Sequence, residues 1–215
     1  MIVEKLVVGF LKTNCYIVYS PDNRGCAVID PGGESRRICA ELEKRGLTPD
    51  VILLTHAHAD HVRGLWHLYE KTGACVYVHA GELDARINIG PFRFVPPLKT
   101  QYVCEGGTIC AGSLRFSVLE CPGHTPGSVV YRCEDTLFTG DTLLHMGSGR
   151  VDYPCSSRED MIASLTRLRD LSGDYHICPG HGEETTLDDE RPHNPALLPD
   201  SRYFDPPDEW EEELL

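Results

Sequence analysis

A chain of 215 residues with 41% hydrophobic content has the length and apolar fraction for one globular domain with a substantial core. Its formal net charge of −13, without any basic stripe, argues against gripping phosphate backbones and so against a nuclease. No apolar run approaches the ~18 residues of a membrane span. The first ten residues, MIVEKLVVGF, lack the basic region and small-residue cleavage site of a signal peptide. Ten cysteines are many, but their spacing is irregular and no CxxC occurs. Several, such as Cys15, Cys26, Cys75 and Cys133, sit in strand-like runs and read as reduced core thiols, so the expected location is the cytoplasm.

Residues 2–9, 15–20 and 26–30 read as strands, the last two joined by a turn at PDNRG. An amphipathic helix is predicted over 34–45, with Ile38, Cys39 and Leu42 on one face and Gly46 and Pro49 ending it. VILLT follows as a buried strand, and THAHADH, residues 55–61, crowds three histidines and an aspartate where it ends. A helix is expected over about 61–71, then a strand at 75–78, a short helix near 81–87 and a Pro-rich loop over 91–97. Strands are predicted at 101–104, 108–110, 114–120, 128–133 and 136–140. A further helix starts at Ser156, with Glu159 as its capping-box partner, and presents Ile162, Leu165 and Leu168. YHIC is the last strand. From Asp200 onward seven acids face one Arg, and the closing DEWEEELL reads as a solvated helical tail with Trp210 and Leu214 docking on the domain or a second subunit.

CPGH occurs twice, at 121–124 and 178–181, each time after a strand-like run. Pro-Gly turns the chain, so each copy holds a histidine at a strand's C-terminal edge, where active sites of layered α/β folds tend to lie. Two structural repeats, each a sheet with helices on its outer face, account for the echo and for the order of elements. The expected architecture is an α/β fold, a four-layer αββα sandwich over residues 1–199, with 200–215 as an acidic tail.

The candidates for chemistry are His56, His58, Asp60 and His61 from the first cluster, His124 and His181 from the CPGH turns, and Asp141 from FTGD. All seven fall at strand-to-loop junctions. Imidazole is the commonest metal ligand, and carboxylate is a hard donor that transition metals accept. In an extended segment residues two apart point the same way, so His56 and His58 can hold one ion together. Asp60 and His61 begin a helix and can aim at a second ion. Two ions need about seven ligands if one carboxylate bridges, so the set reads as a dinuclear site.

THAHADH, PGHTPGS, TGDTL and PGHG, in that order, resemble the successive motifs of the metallo-β-lactamase superfamily, whose first motif reads HxHxDH. The resemblance covers roughly residues 2 to 182. It implies that His56, His58 and His124 bind one metal, that Asp60, His61 and His181 bind the other, and that Asp141 bridges them. It also implies the αββα fold. GSGRVDYP and ERPHNP are similar to segments of the single-domain hydrolases related to hydroxyacylglutathione hydrolase (glyoxalase II). Two departures stand out: the chain ends 34 residues after His181, where glyoxalase II carries a helical domain, and Asp152 is expected at the position of its aromatic substrate contact.

The resemblance therefore implies a thioester hydrolase with two divalent ions, zinc foremost, iron or manganese as alternatives. Its substrate would be a small-molecule acyl thioester such as S-lactoylglutathione. A water shared by two such ions is brought towards a neutral pKa from ~15.7, and Asp60 can both ligate and orient it. Cys121 and Cys178 read as core thiols rather than as a Cys2His2 zinc site. Arg150 has two readings, a contact to a substrate carboxylate or carbonyl and a loop brace to Asp152. His67, His79, His145 and His193 read as ordinary polar residues, while the resemblance alone places His193 and Asn194 at the site mouth. The competing functions are a persulfide dioxygenase with one iron, a lactonase or other ester hydrolase, and a metal-binding accessory protein without activity. A β-lactamase of the common zinc class would lack the histidine directly after Asp60. No nucleic-acid or membrane partner is expected, and the chain is expected as monomer or homodimer.

Overall fold

The computed structural model describes residues 1–84, 86–88, 92–199 and 202–205. The expected tail helix with Trp210 and Leu214 lies outside them. The first sheet runs in the order β1 (Ile2–Val8), β2 (Thr13–Tyr19), β3 (Gly25–Ile29), β4 (Thr48–Leu53), β5 (Cys75–His79) and β6 (Thr100–Val103). The second holds β7 (Thr108–Ala111), β8 (Leu114–Glu120), β9 (Val129–Cys133), β10 (Thr136–Gly140), β11 (His176–Pro179) and β12 (Thr185–Thr186), also in that spatial order. Helices α1 (Ser35–Arg45), α2 (Ala59–Val62) and α3 (Leu65–Thr72) belong to the first half, and α4 (Arg158–Arg169) and α5 (Leu187–His193) to the second.

Period-two alternation with both faces buried stacks these elements into four layers. Along β2, Tyr16 and Val18 point between the sheets, where they meet Phe116, Tyr131 and Phe138 of the other sheet. Cys15 and Ile17 point the opposite way, to a second core with Ile38 and Leu42 of α1 and Leu65 and Leu68 of α3. On the far side Val130, Leu137 and Ile177 pack under Met161, Leu165 and Leu168 of α4. Each such side chain, fully buried, is worth about 1.5–3 kcal/mol. Tyr16 and Phe138 meet edge to face at 5.5 Å between ring centroids, a geometry that ties the two sheets together.

The expected αββα sandwich is thus the fold, and it does contain two repeats. β1–β2–β3 are antiparallel, and β4 joins β3 in parallel after α1. β8–β9–β10 are antiparallel in the same way, and β11 joins β10 in parallel after α4. The CPGH echo, however, is not the mark of that repeat. Its first copy turns between antiparallel β8 and β9, and its second begins in the last two residues of β11, whose counterpart is β4.

Other expectations shift locally. The helix expected at 61–71 is broken into α2 and α3, because the Gly64 amide donates to the Pro31 carbonyl at 2.8 Å and packs so close that a Cβ there would sit 2.6 Å from it. Ser157, not Ser156, caps α4, accepting from the Asp160 amide. Ile162 faces solvent, and Met161 takes the buried place expected of it. The short helix near 81–87 is a single 3₁₀ turn, Ala80–Leu83. Helix α5 had no signal, since Pro192 lies inside it, yet Thr186 caps it by accepting from the Asp189 amide. All ten cysteines are free thiols. Cys121 and Cys178 are core residues, as expected: burial pushes the Cys121 thiol up to about 12 and raises that of Cys178 as well.

Residues 202–205 lie against the second half. The Tyr203 hydroxyl accepts from the Ser148 amide, and Arg158 pairs with Asp205. Among the described residues no helix is long and apolar enough to cross a membrane.

Candidate metal centre

His56 and His58 follow β4, Asp60 and His61 lie on α2, and His124 is in the β8–β9 loop. Asp141 comes directly after β10, and His181 follows β11. The two sheets deliver all seven to one edge of the sandwich. His56, His58 and His124 form one group, with one ligand atom from each within 4.8 Å of the others; Asp60, His61 and His181 form a second. In the first, His124 Nε2 is 2.8 Å from His58 Nδ1. In the second, His181 Nε2 is 3.2 Å from Asp60 Oδ2 and 3.3 Å from His61 Nε2. Asp141 stands between them. Its Oδ2 is 3.5 Å from His124 Nε2 and 3.6 Å from His181 Nε2, and its Oδ1 is 3.5 Å from His61 Nε2.

The outer nitrogens of these rings are already committed. His124 Nδ1 donates to the Arg150 carbonyl at 2.8 Å and His181 Nδ1 to the Leu11 carbonyl at 3.1 Å. A carbonyl can only accept, so each ring carries a proton on Nδ1 and turns Nε2 inward, the nitrogen left to ligate once it is unprotonated. His61 Nδ1 rests 2.9 Å from Asp30 Oδ2, and His56 Nδ1 lies 3.1 Å from the Thr55 hydroxyl. Buried His56 Nε2 and Asp141 Oδ1 have no hydrogen-bond partner at all. Lone pairs converging in a buried site are costly unless a cation lies among them. The donor set, nitrogen with carboxylate oxygen, fits two divalent transition-metal ions.

Without bound ions the two groups sit at opposite ends of the imidazole range. Burial, joined by the neighbouring histidines, holds His56 well below its ordinary pKa and brings His58 down to about 4. Burial likewise lowers His124. In the second group burial opposes the charged ring but loses: Asp141 and Asp30 lift His61 to about 9, and Asp60 raises His181. Asp60 is pushed up by burial, yet His181, His61 and the Thr13 hydroxyl together hold it below the usual carboxylate range.

Beside the ligand atoms lies a cavity of about 260 Å³ lined by Leu11, Ala59, Asn88 and Tyr153 as well as His58, Asp60, His124, Asp141 and His181. A larger hollow of about 600 Å³ on the outer face of α1 and α3 is lined by none of the seven. Tyr153 corrects the expectation for Asp152: its ring approaches His58 edge-on at 5.5 Å, while Asp152 points to solvent and pairs with Arg150. Arg150 also stacks over Tyr153, 4.7 Å from the ring centroid, in the bracing geometry. His193 and Asn194 do not line the cavity. His193 faces solvent and donates from Nδ1 to the Asp189 carbonyl, and buried Asn194 holds the Leu144 and Gly147 carbonyls.

Sequence reading also missed the residues around the ligands. Asp30 accepts from the Thr55 amide, the Thr55 hydroxyl and His61; Thr13 donates to Asp60 at 3.0 Å; Glu82 and Asn88 grip the backbone on either side of His58. A further grouping of His176, Cys178 and Glu184 is already paired, Glu184 with both His176 and Lys5.

Residues 8–181 match the profile of the metallo-β-lactamase superfamily, and the chain belongs to that superfamily of metal-dependent hydrolases. It is 36% identical over 205 residues to a probable metallo-hydrolase, YqgX, of Bacillus subtilis, a match covering 90% of this chain and 96% of that one. It is 32% identical over 214 residues to the hydroxyacylglutathione hydrolase GloC of Haemophilus influenzae, covering 92% and 98%. Among solved structures, the BLEG-1 B3 metallo-β-lactamase superposes with a TM-score of 0.83 at 31% identity, covering 92% of this chain and all of that one. TTHA1623 in a di-iron-bound form gives 0.79 at 36%, covering 90% and 99%. ETHE1 from Myxococcus xanthus gives 0.80 at 29%, covering 95% of each.

Proposed function

We propose that the chain is a dinuclear metal-dependent hydrolase of the glyoxalase II type that cleaves small acyl thioesters in the cytoplasm. The observation that carries the reading is Asp141, whose two oxygens reach His124 of one ligand group and His61 and His181 of the other. His56, His58 and His124 would hold one ion, Asp60, His61 and His181 the second, with Asp141 shared. Zinc is the proposed metal; iron is the first alternative, since a relative 36% identical has been solved in a di-iron-bound form, and manganese the second. Bound there, two divalent ions lower the pKa of a shared water towards neutrality and polarise a substrate carbonyl. Asp60, kept ionised by His181, His61 and Thr13, borders the cavity and orients the attacking water. Ten free thiols suit a reducing compartment.

Beyond the candidate ligands, the described lining of the cavity offers two apolar side chains, Leu11 and Ala59, an amide, Asn88, and a phenol, Tyr153, and among the described residues no cation. A glutathione carboxylate therefore meets no counter-charge in the described lining, and the thiol beyond its sulfur should matter little. Steady-state kinetics on glutathione and small-thiol esters of one acyl group test this on metal-analysed protein. We expect both to be hydrolysed, with kcat/KM differing by about tenfold and mostly through KM. A glutathione preference of ~1000-fold, or ~4 kcal/mol, would overturn the small-thiol reading. Turnover of a persulfide, a lactone or a β-lactam but of no thioester would overturn the thioester reading itself.

A further inference from the structure

We propose that Glu82 is a positioning residue whose carboxylate joins the two loops carrying His56, His58 and His124, and so sets the metal affinity of that group alone. It rests on the dinuclear reading above. Glu82 belongs to the 3₁₀ turn after β5 and is 1% exposed. A carboxylate so buried needs several donors, and its donors come from both halves of the sandwich. Oε2 accepts from the Ala57 amide at 2.6 Å, between His56 and His58. Oε1 accepts from the Thr125 hydroxyl at 2.6 Å, directly after His124, and from the Gly127 amide at 2.9 Å.

The backbone around it is cleared for this contact. A Cβ on Gly127 would lie 2.7 Å from Glu82 Oε1, and one on Gly81 would lie 3.0 Å from Gly127 Cα. Two glycines thus face each other where the 3₁₀ turn meets the β8–β9 loop. His79 adds a cap, its Nδ1 accepting from the Gly81 amide. From the same stretch Asn88 donates to the Ala57 carbonyl at 2.9 Å and accepts from the Ala59 amide at 2.8 Å. Both peptide groups flanking His58 are therefore gripped from 82–88.

Asp60, His61 and His181 receive nothing from Glu82. Their supports are Thr13, Asp30 and the Leu11 carbonyl. The outer carboxylates thus differ in reach: Glu82 serves only the loops of the three histidines, whereas Asp30 touches His61 directly and holds Thr55, which lies against His56. Losing such an outer partner typically costs roughly 10–100-fold in metal affinity.

The test is chelator titration of zinc-loaded protein with the metal retained per chain measured at each step. In Glu82→Gln the amide must aim an N–H at groups that are themselves donors. One ion should leave at roughly 10–100-fold lower chelator, the other as in the unaltered chain. In a His58→Ala background Glu82→Gln should add nothing to the ion that remains. Thr125→Val, which removes one donor and leaves every ligand in place, should shift the same ion by less, and serves if Glu82→Gln does not fold. Glu190→Gln breaks a comparably buried carboxylate that serves Thr185 and Asn194; it should lower stability without singling out one ion. If the unaltered chain never holds two ions, the dinuclear reading fails. If it holds two and Glu82→Gln or Thr125→Val releases both together or neither, the role given to Glu82 fails.

Discussion

The two ligand groups of the site are built from different chemistry. His56, His58 and His124 are all imidazole, with His56 and His124 buried, and burial keeps their rings uncharged at neutral pH. Asp60, His61 and His181 include a carboxylate, and Asp30 and Asp141 lean on them as well, so these histidines are drawn towards the charged form. The first group is therefore ready to accept a cation, while the second holds protons that a cation must displace. Within a few ångströms the fold builds one site organised by desolvation and one organised by anions.

Asp141 is the residue through which the comparison should break most completely. Asp141→Asn replaces a carboxylate that faces both groups by a neutral amide, so both ions should loosen and turnover should fall by well over the roughly 100-fold upper range of an outer-partner loss. His58→Ala and His181→Ala should each loosen chiefly one ion. Metal content and turnover of the three variants check this together. Equal loss of both ions in His181→Ala and Asp141→Asn would remove Asp141 from the shared position.

The difference in proton load should appear during metal loading. At pH 7, filling the all-histidine group should release almost no protons, whereas filling the second should release about one to two, from His61 and His181. Affinity for that second ion should climb as pH rises towards 9, and affinity for the first should stay flat. Calorimetric titration in buffers of different ionisation enthalpy reads the protons directly; equal release in both steps would erase the distinction. Stability of the ion-free protein carries the same signature with opposite signs. His61, raised to about 9, contributes stability that is complete below its unfolded pKa and lost as pH rises through 9. His58, lowered to about 4, contributes above its unfolded pKa and loses that contribution as pH falls through 4.

The seven candidate residues that the fold gathers at one edge were legible because each is announced locally: a strand ends, and a histidine or aspartate follows within a few residues. Their supports were not. Asp30 reaches His61 over 31 positions and Glu82 reaches Gly127 over 45, and no spacing rule links residues that meet only when the sheets stack. Asp30 sits in a left-handed backbone conformation directly after β3, although by sequence it reads as the last residue of the strand at 26–30. The αββα layers were legible from the order of strands and helices and from the superfamily motifs, but the break at Gly64 depends on Pro31, and the outward turn of Ile162 depends on which face of α4 meets the second sheet. Tyr153 was displaced by one residue because a loop has no period by which to count.

The smallest effect should come from Arg150, which stands on the outer side of Tyr153 near the all-histidine group. Its guanidinium has two contacts, the Asp152 carboxylate at 2.8 Å and the face of Tyr153. The pair is largely exposed, so water and salt screen it, and such pairs hold a loop only weakly. Tyr153 itself lines the cavity and meets both His58 and His124 edge-on, so its removal alters the cavity lining rather than a brace. Tyr153→Ala should raise KM roughly tenfold, about the size of one lost apolar contact, with metal content unchanged. Arg150→Ala should raise KM by only a small factor, one that shrinks further at high salt because the ion pair it removes is already screened there. A large fall in kcat for Arg150→Ala, with KM and metal content unchanged, would mean that the guanidinium leaves Asp152 and meets the reacting carbonyl during turnover.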